Sequence, residues 1–219
     1  MARQARRAFY DLFSRFYDPL IRIHSGDREG RLRRFMVEKT GIGPQGRGLD
    51  LCTGTGAVAI ELGRAAGEKG FVVGLDFSGG MLRKGREKAR CLGFGRVSWV
   101  EADAASLPLK DASFDAVTCS HAMYELPEDV RRSVMVEARR VLKEGGRFCM
   151  MEHEIPGNPL VRLLFRIRIL SFGSSGAWSF IRADTRPFAE VFGSVSKATA
   201  PSDKSKVICG EKREIGRTC

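Results

Sequence analysis

Gly54-Thr55-Gly56-Ala57-Val58-Ala59 fits the spacing G-x-G-x-x-A, directly after the apolar run Gly48-Leu49-Asp50-Leu51-Cys52. A strand that feeds a helix through such glycines brings backbone N–H groups and a helix N-terminus close to a ligand. Asp76 lies 20 residues beyond Gly56, at the end of a second apolar run. A carboxylate there can accept both ribose hydroxyl protons of an adenine nucleoside. These residues alone fit NAD equally well, and the glycines could serve only the turn. Asp50 separates the readings. An acid just before the glycines repels a pyrophosphate and favours a cationic ligand. Asp103 closes a third run, Val100-Glu101-Ala102-Asp103, where it can accept a proton from an adenine amino group.

A second group of residues could handle an acceptor. His121 and Tyr124 follow a fourth apolar run, and His153 follows a fifth, inside Glu152-His153-Glu154. A histidine can act as a base near neutral pH, or simply pack at a strand end. Glu152-His153-Glu154 could orient a substrate. Consecutive strand residues point to opposite faces, so this triplet is expected to hold no metal. Tyr10 and Tyr17, in an aromatic-rich stretch, could close over the ligand or belong to a core.

The elements that position these residues alternate. Strands are predicted over 48–52, 71–76, 97–101, 114–120 and 147–152. Helices are predicted over 57–66, 79–92 and 128–142, the last ended by Gly145-Gly146. This alternation predicts an α/β, Rossmann-like sheet, mostly parallel, with helices on both faces. Residues 2–24 and 27–40 read as amphipathic helices. Beyond residue 153 come a basic apolar helix over 160–172 and a short helix over 185–192. Strands over 194–200 and 206–211 then form an antiparallel hairpin, making seven strands. The expected division is a helical cap (1–46), a ligand-binding core (47–153), and an insertion with closing strands of the same domain (154–219).

The chain has 219 residues and a formal net charge of +11. That charge favours an anionic partner, or merely solvates the surface. Residues 1–40 hold ten Lys/Arg against five Asp/Glu, and residues 158–186 hold five Arg against one acid. Leucines interleaved with arginines over 160–170 suit a peripheral helix on an anionic membrane, or a packed cap helix. No RNA-binding module is recognisable, so nucleic acid is not expected as a partner. The six cysteines are scattered without a CxxC pair, which argues against zinc and against a disulfide scaffold. Cys52, Cys119 and Cys149 are expected as reduced, buried small hydrophobes in a cytoplasmic protein, with membrane-peripheral placement left open.

Taken together, Leu49 to Gly56, Val73 to Leu82, Ala102 to Pro108, Ser113 to Val117 and Arg140 to Gly146 resemble the class I S-adenosylmethionine-dependent methyltransferases. The resemblance covers about residues 47–152, and within the class it is nearest to the methyltransferases of ubiquinone and menaquinone biosynthesis. It implies S-adenosylmethionine as cofactor. Asp50 with Thr53, Gly54, Thr55 and Gly56 would line its methionine end, and Asp76 would hold the ribose. Phe77 and Met81 would flank the adenine. Asp103, with the backbone of Ala104, would meet the amino group. Ser120 would close the floor. The position of His121 resembles that of the catalytic histidine in plant-type small-molecule O-methyltransferases. Cys52 stands where the family usually has its first glycine. Tyr124-Glu125 stands where the quinone subgroup has an Arg-Asn pair implicated in activating the quinol ring.

The expected activity is in-line methyl transfer to a small, largely apolar acceptor, with His121, Tyr124 and His153 as catalytic candidates. The alternatives are a phospholipid or quinol methyltransferase at a membrane surface, and a non-catalytic cofactor-binding interaction protein.

Overall fold

The computed structural model describes residues 10–11, 30–172, 174, 176–201 and 204–213. Tyr17 and most of the predicted N-terminal helices lie outside the described residues. The remainder forms one seven-stranded sheet. In chain order the strands are β1 (Arg47–Leu51), β2 (Phe71–Asp76), β3 (Val97–Glu101), β4 (Phe114–Ser120), β5 (Leu142–His153), β6 (Ser194–Thr199) and β7 (Ser205–Glu211). Their spatial order is β3-β2-β1-β4-β5-β7-β6. β1 to β5 run parallel, and β7 enters antiparallel between β5 and β6. The chain leaves β1 toward β2 on one side and reaches β4 on the other. In such sheets the crevice for a ligand opens at that reversal, outside the strands' carboxyl ends.

The helices are α1 (Arg31–Thr40), α2 (Ala57–Ala66), α3 (Gly79–Cys91), α4 (Glu128–Val141), α5 (Pro159–Phe172), α6 (Ala177–Ala183) and α7 (Arg186–Ala189). Two apolar clusters cover the sheet. Leu49, Leu51, Val117, Phe148 and Ile208 pack with Val134, Ala138 and Phe188 from α4 and α7. Val72, Cys149, Met151 and Val207 pack with Met36, Val37, Ala59 and Leu62 from α1 and α2. Alternate residues of β5 thus serve opposite cores, as the period of a strand requires.

Polar fastenings fix the loops that carry the site. Arg140, at the end of α4, donates to Glu137, to Asp111 and to the carbonyls of Leu107 and Leu109. Glu137 in turn accepts from the backbone N–H of Leu107 at 2.7 Å. This clamps the segment after β3, where Asp103 sits, onto α4. Asp115 accepts from the backbone N–H of Arg47 and from Lys143, tying the starts of β1 and β5 to β4.

Three expectations are corrected. The helix over 128–142 is not ended by Gly145-Gly146. It stops at Val141, and β5 begins at Leu142 with a register shift opposite Phe114 to Ala116 that absorbs the glycine pair. Helix α6 was not anticipated, and the helix expected over 185–192 is only Arg186–Ala189. Cys149 is not a free thiol: it is bonded to Cys209, with Cα atoms 4.1 Å apart. The antiparallel register sets the two residues directly opposite on β5 and β7, which sequence spacing cannot reveal. Cys52 and Cys119 are free as expected. The cytoplasmic expectation rested partly on reduced cysteines, and this pair withdraws that support.

Candidate functional site

The glycine turn stands at the carboxyl end of β1. Its backbone is left-handed at Cys52 (φ 51°), Gly54 (φ 54°) and Gly56 (φ 75°). The first of these explains why a glycine would suit position 52. Asp50 is 1 % exposed and accepts from the hydroxyls of Thr53 at 2.6 Å and Thr118 at 2.7 Å. It therefore holds the base of the turn. Asp76, 5 % exposed, joins the turn to β2: one carboxylate oxygen accepts from the backbone N–H of Gly54 at 2.8 Å, the other from Ser78 at 2.9 Å. Burial raises the Asp76 carboxyl above its ordinary range, against those two backbone hydrogen bonds, which lower it. Thr55 is buried, and its hydroxyl accepts from Lys88 on α3.

Behind the turn, the indole of Trp99 on β3 fills a slot lined by glycines. A Cβ on Gly56 would stand 2.2 Å from the ring, on Gly85 2.5 Å and on Gly74 3.2 Å. In front lie Phe77, half-buried, and Met81, buried on α3. Asp103 accepts from the backbone N–H of Ala105 at 3.0 Å, and Ala104 is buried beside it. The turn, Asp76, Phe77, Met81 and Asp103 thus share one edge of the sheet.

Two residues from the start of the chain cross this edge. The Tyr10 ring meets Phe77 edge-on with centroids 5.7 Å apart, and its hydroxyl donates to Glu125. Asp11 accepts from the Ser78 hydroxyl at 2.6 Å and from the backbone N–H of Gly80 at 2.8 Å, at the N-terminus of α3. Neither Asp11 nor Glu125 was anticipated. Their partners are more than 60 residues away in sequence, and no local pattern signals such contacts.

The acceptor candidates gather beyond β4 and β5. Ser120 ends β4, half-buried, and His121 follows in a left-handed conformation (φ 50°), its backbone N–H donating to Met151. The rings of His121 and His153 lie 4.6 Å apart, and those of Tyr124 and His153 lie 5.4 Å apart. Strand alternation was expected to separate Glu152 from His153. Instead, the Glu152 carboxylate folds back to accept from the His153 backbone N–H at 2.9 Å. One atom each of His121, Glu152 and His153 then lies within 4.8 Å of the others. Phe165 of α5 packs edge-on against His153 at 5.6 Å, joining the last helices to this cluster.

A model described as the ubiE/COQ5 methyltransferase family matches residues 4–172. The chain belongs to the ubiE/COQ5 methyltransferase family. The ubiquinone/menaquinone biosynthesis C-methyltransferase UbiE of Ectopseudomonas mendocina (strain ymp) is 34 % identical over 174 residues, covering 78 % of this chain and 66 % of that protein. A demethylmenaquinone methyltransferase of Staphylococcus aureus (strain JH9) is 34 % identical over 164 residues, covering 75 % and 66 %. The match thus spans about two thirds of these relatives' length. A SAM-dependent methyltransferase of Aquifex aeolicus shares the fold at a TM-score of 0.63 and 20 % identity, over 89 % of this chain and 98 % of that one.

The cofactor of this family member is S-adenosylmethionine, and the site fits a cation. Asp50, Asp76 and Asp11 converge on the turn and the start of α3; beyond the effect of burial, the charge of Asp76 adds to the upward shift of Asp50, and that of Asp11 to the upward shift of Asp76. Burial pushes Asp50 up from 3.8 to about 6, against the hydrogen bonds from Thr53 and Thr118 that pull it down. The folded methyltransferase therefore holds this proton more tightly than the unfolded chain. The resulting stabilisation is complete below about pH 4 and is lost as pH rises through about 6. Asp50→Asn removes the linkage. Urea unfolding without ligand should show the difference between variant and wild type shifting in the variant's favour by about 3 kcal/mol between about pH 4 and about pH 7. A difference independent of pH would show that Asp50 does not titrate there.

Proposed function

We propose that this methyltransferase acts on a small, largely apolar acceptor presented at a membrane surface, the quinol class named for its relatives being the leading candidate. S-adenosylmethionine supplies a methyl already activated on a sulfonium. What the chain must add is orientation, exclusion of water and a hold on the acceptor. The turn, Asp76 and Phe77 orient the cofactor. His121, Tyr124 and His153 form the wall against which the acceptor is placed, with imidazole nitrogens and a phenol able to exchange hydrogen bonds with an acceptor hydroxyl.

The observation that carries this reading is the face of α5. Leu160, Val161, Leu163, Leu164 and Leu170 are 50–66 % exposed, while Ile169 on the other side is buried against Ala177 and Ile181 of α6. Arg166 flanks the apolar face, its guanidinium over the Trp178 ring. Such a helix suits the boundary of an anionic bilayer, and Phe165 links it to His153. Among the described residues, no helix is long and apolar enough to cross a membrane, so contact would be peripheral.

The test is co-flotation with vesicles containing an anionic phospholipid. The wild type should float with them. Leu163→Asp combined with Leu164→Asp should weaken partition by about 100-fold, the loss of two inserted leucines at about 1.5 kcal/mol each. Methylation of a vesicle-borne quinol should fall with it, while affinity for S-adenosylhomocysteine stays the same. Absence of flotation by the wild type would remove the membrane reading.

A further inference from the structure

Two residues of that wall, His121 and His153, also meet the carboxylate of Glu152. Glu152 is 0 % exposed, at the buried end of β5. Its Oε1 lies 3.7 Å from Nδ1 of His121, too far for a hydrogen bond. Among the described residues, neither Glu152 Oε2 nor His121 Nδ1 has a hydrogen-bond partner, and both atoms are buried. The buried Arg131 guanidinium feels the Glu152 charge but leaves Oε2 unpaired. Among the described residues, Oε1, the oxygen nearer His121, receives only the His153 N–H, and a buried carboxylate oxygen and a buried imidazole nitrogen left without partners are costly unless a further group meets them.

We infer that His121, Glu152 and His153 bind a divalent transition-metal ion of the Zn2+ or Fe2+ kind. Two imidazoles and one carboxylate are the donor set these ions prefer. Metal–ligand distances of about 2.0–2.2 Å in a tetrahedral site set donor atoms about 3.4 Å apart. The 3.7 Å between His121 and Glu152 is close to that. Rotation of the half-buried His153 ring brings in the third donor from within 4.8 Å. The fold fixes two of the three ligands by backbone contacts. His121 is pinned by its N–H to Met151, and Glu152 by the His153 N–H it receives. Three protein ligands leave a coordination position open, as catalytic rather than structural metal sites do. The rings of Tyr124 and Phe165 stand beside His153, and an open position there would suit an oxygen of a hydroxylated acceptor. Only this last point rests on the acceptor proposed above; metal binding itself does not.

The test uses the full chain, stripped with a chelator, dialysed and titrated with Co2+. One equivalent should bind, with the visible bands of a nitrogen–oxygen ligand set, and Zn2+ should displace it. Glu152→Gln, nearly isosteric, should weaken uptake by about 100-fold, the upper end of what loss of even an outer partner costs. His153→Ala should do the same, which secures the test if the buried variant does not fold. Both should keep their affinity for S-adenosylhomocysteine. No saturable uptake would overturn the proposal. So would unchanged affinity in folded variants, or a thiolate-to-cobalt charge-transfer band, which would place the ion on a cysteine instead. A failed flotation experiment with successful cobalt binding would remove the membrane acceptor and leave the metal site standing.

Discussion

Asp76→Ala should weaken S-adenosylmethionine binding by about 100-fold, measured by calorimetry. The carboxylate is already held by two backbone donors, from Gly54 and Ser78, so its position does not depend on a ligand. A ribose diol meeting this fixed carboxylate forms charge-assisted hydrogen bonds of about 1.5 kcal/mol each. Losing two of them accounts for the expected change. Asp76→Asn keeps an acceptor and the shape, and should fall between the variant and the wild type. Folding should suffer less than binding, because removing a buried charge offsets part of the lost hydrogen bonding. Unchanged affinity in Asp76→Ala would show that the ribose lies elsewhere.

The second large effect concerns stability. Gly56→Ala should lower it by about 3 kcal/mol, combining a left-handed backbone that disfavours a side chain with a clash against the core. Gly56 has φ 75°, and its added Cβ would stand 2.2 Å from the Trp99 ring. For a chain of this size that corresponds to a fall of about 10 °C in the thermal midpoint by circular dichroism. Trp99→Leu in the same background should recover part of the loss by relieving the overlap, though not the backbone contribution. A Gly56→Ala midpoint equal to the wild type would mean that the ring can leave its slot at little cost.

The glycine requirement at position 56 was legible in the sequence, but its partner was not. Strands 71–76, 97–101 and 114–120 have the bounds expected of them, because each is a short apolar run between turn residues. Asp76 could be placed because its spacing from the glycines is set by one strand–helix–strand unit. The residues that escaped notice act across long separations. Thr118 reads in the sequence only as part of a strand, yet it donates to Asp50 because β1 and β4 are neighbours. Cys149 reads as a small hydrophobe until β7 is laid beside β5. Helix α6 is only seven residues long, and its pattern is lost between Gly176 and Asp184. Glu152 and His153 mislead for a physical reason: alternation describes where a side chain leaves the backbone, whereas a long carboxylate at a strand end can turn back around its own next residue.

The chain contains two tryptophans, and the fold puts them in unlike company. Trp99 lies behind the glycine turn against bare backbone. Trp178 lies on α6, beside the ring of Phe165 and under the guanidinium of Arg166. The intrinsic fluorescence of this protein is therefore a sum of two local signals, one seated behind the glycine turn and one beside α5. With either indole replaced by phenylalanine, the other becomes a single optical probe. Cofactor loading and the proposed membrane docking can then be followed separately, with no label added to the chain.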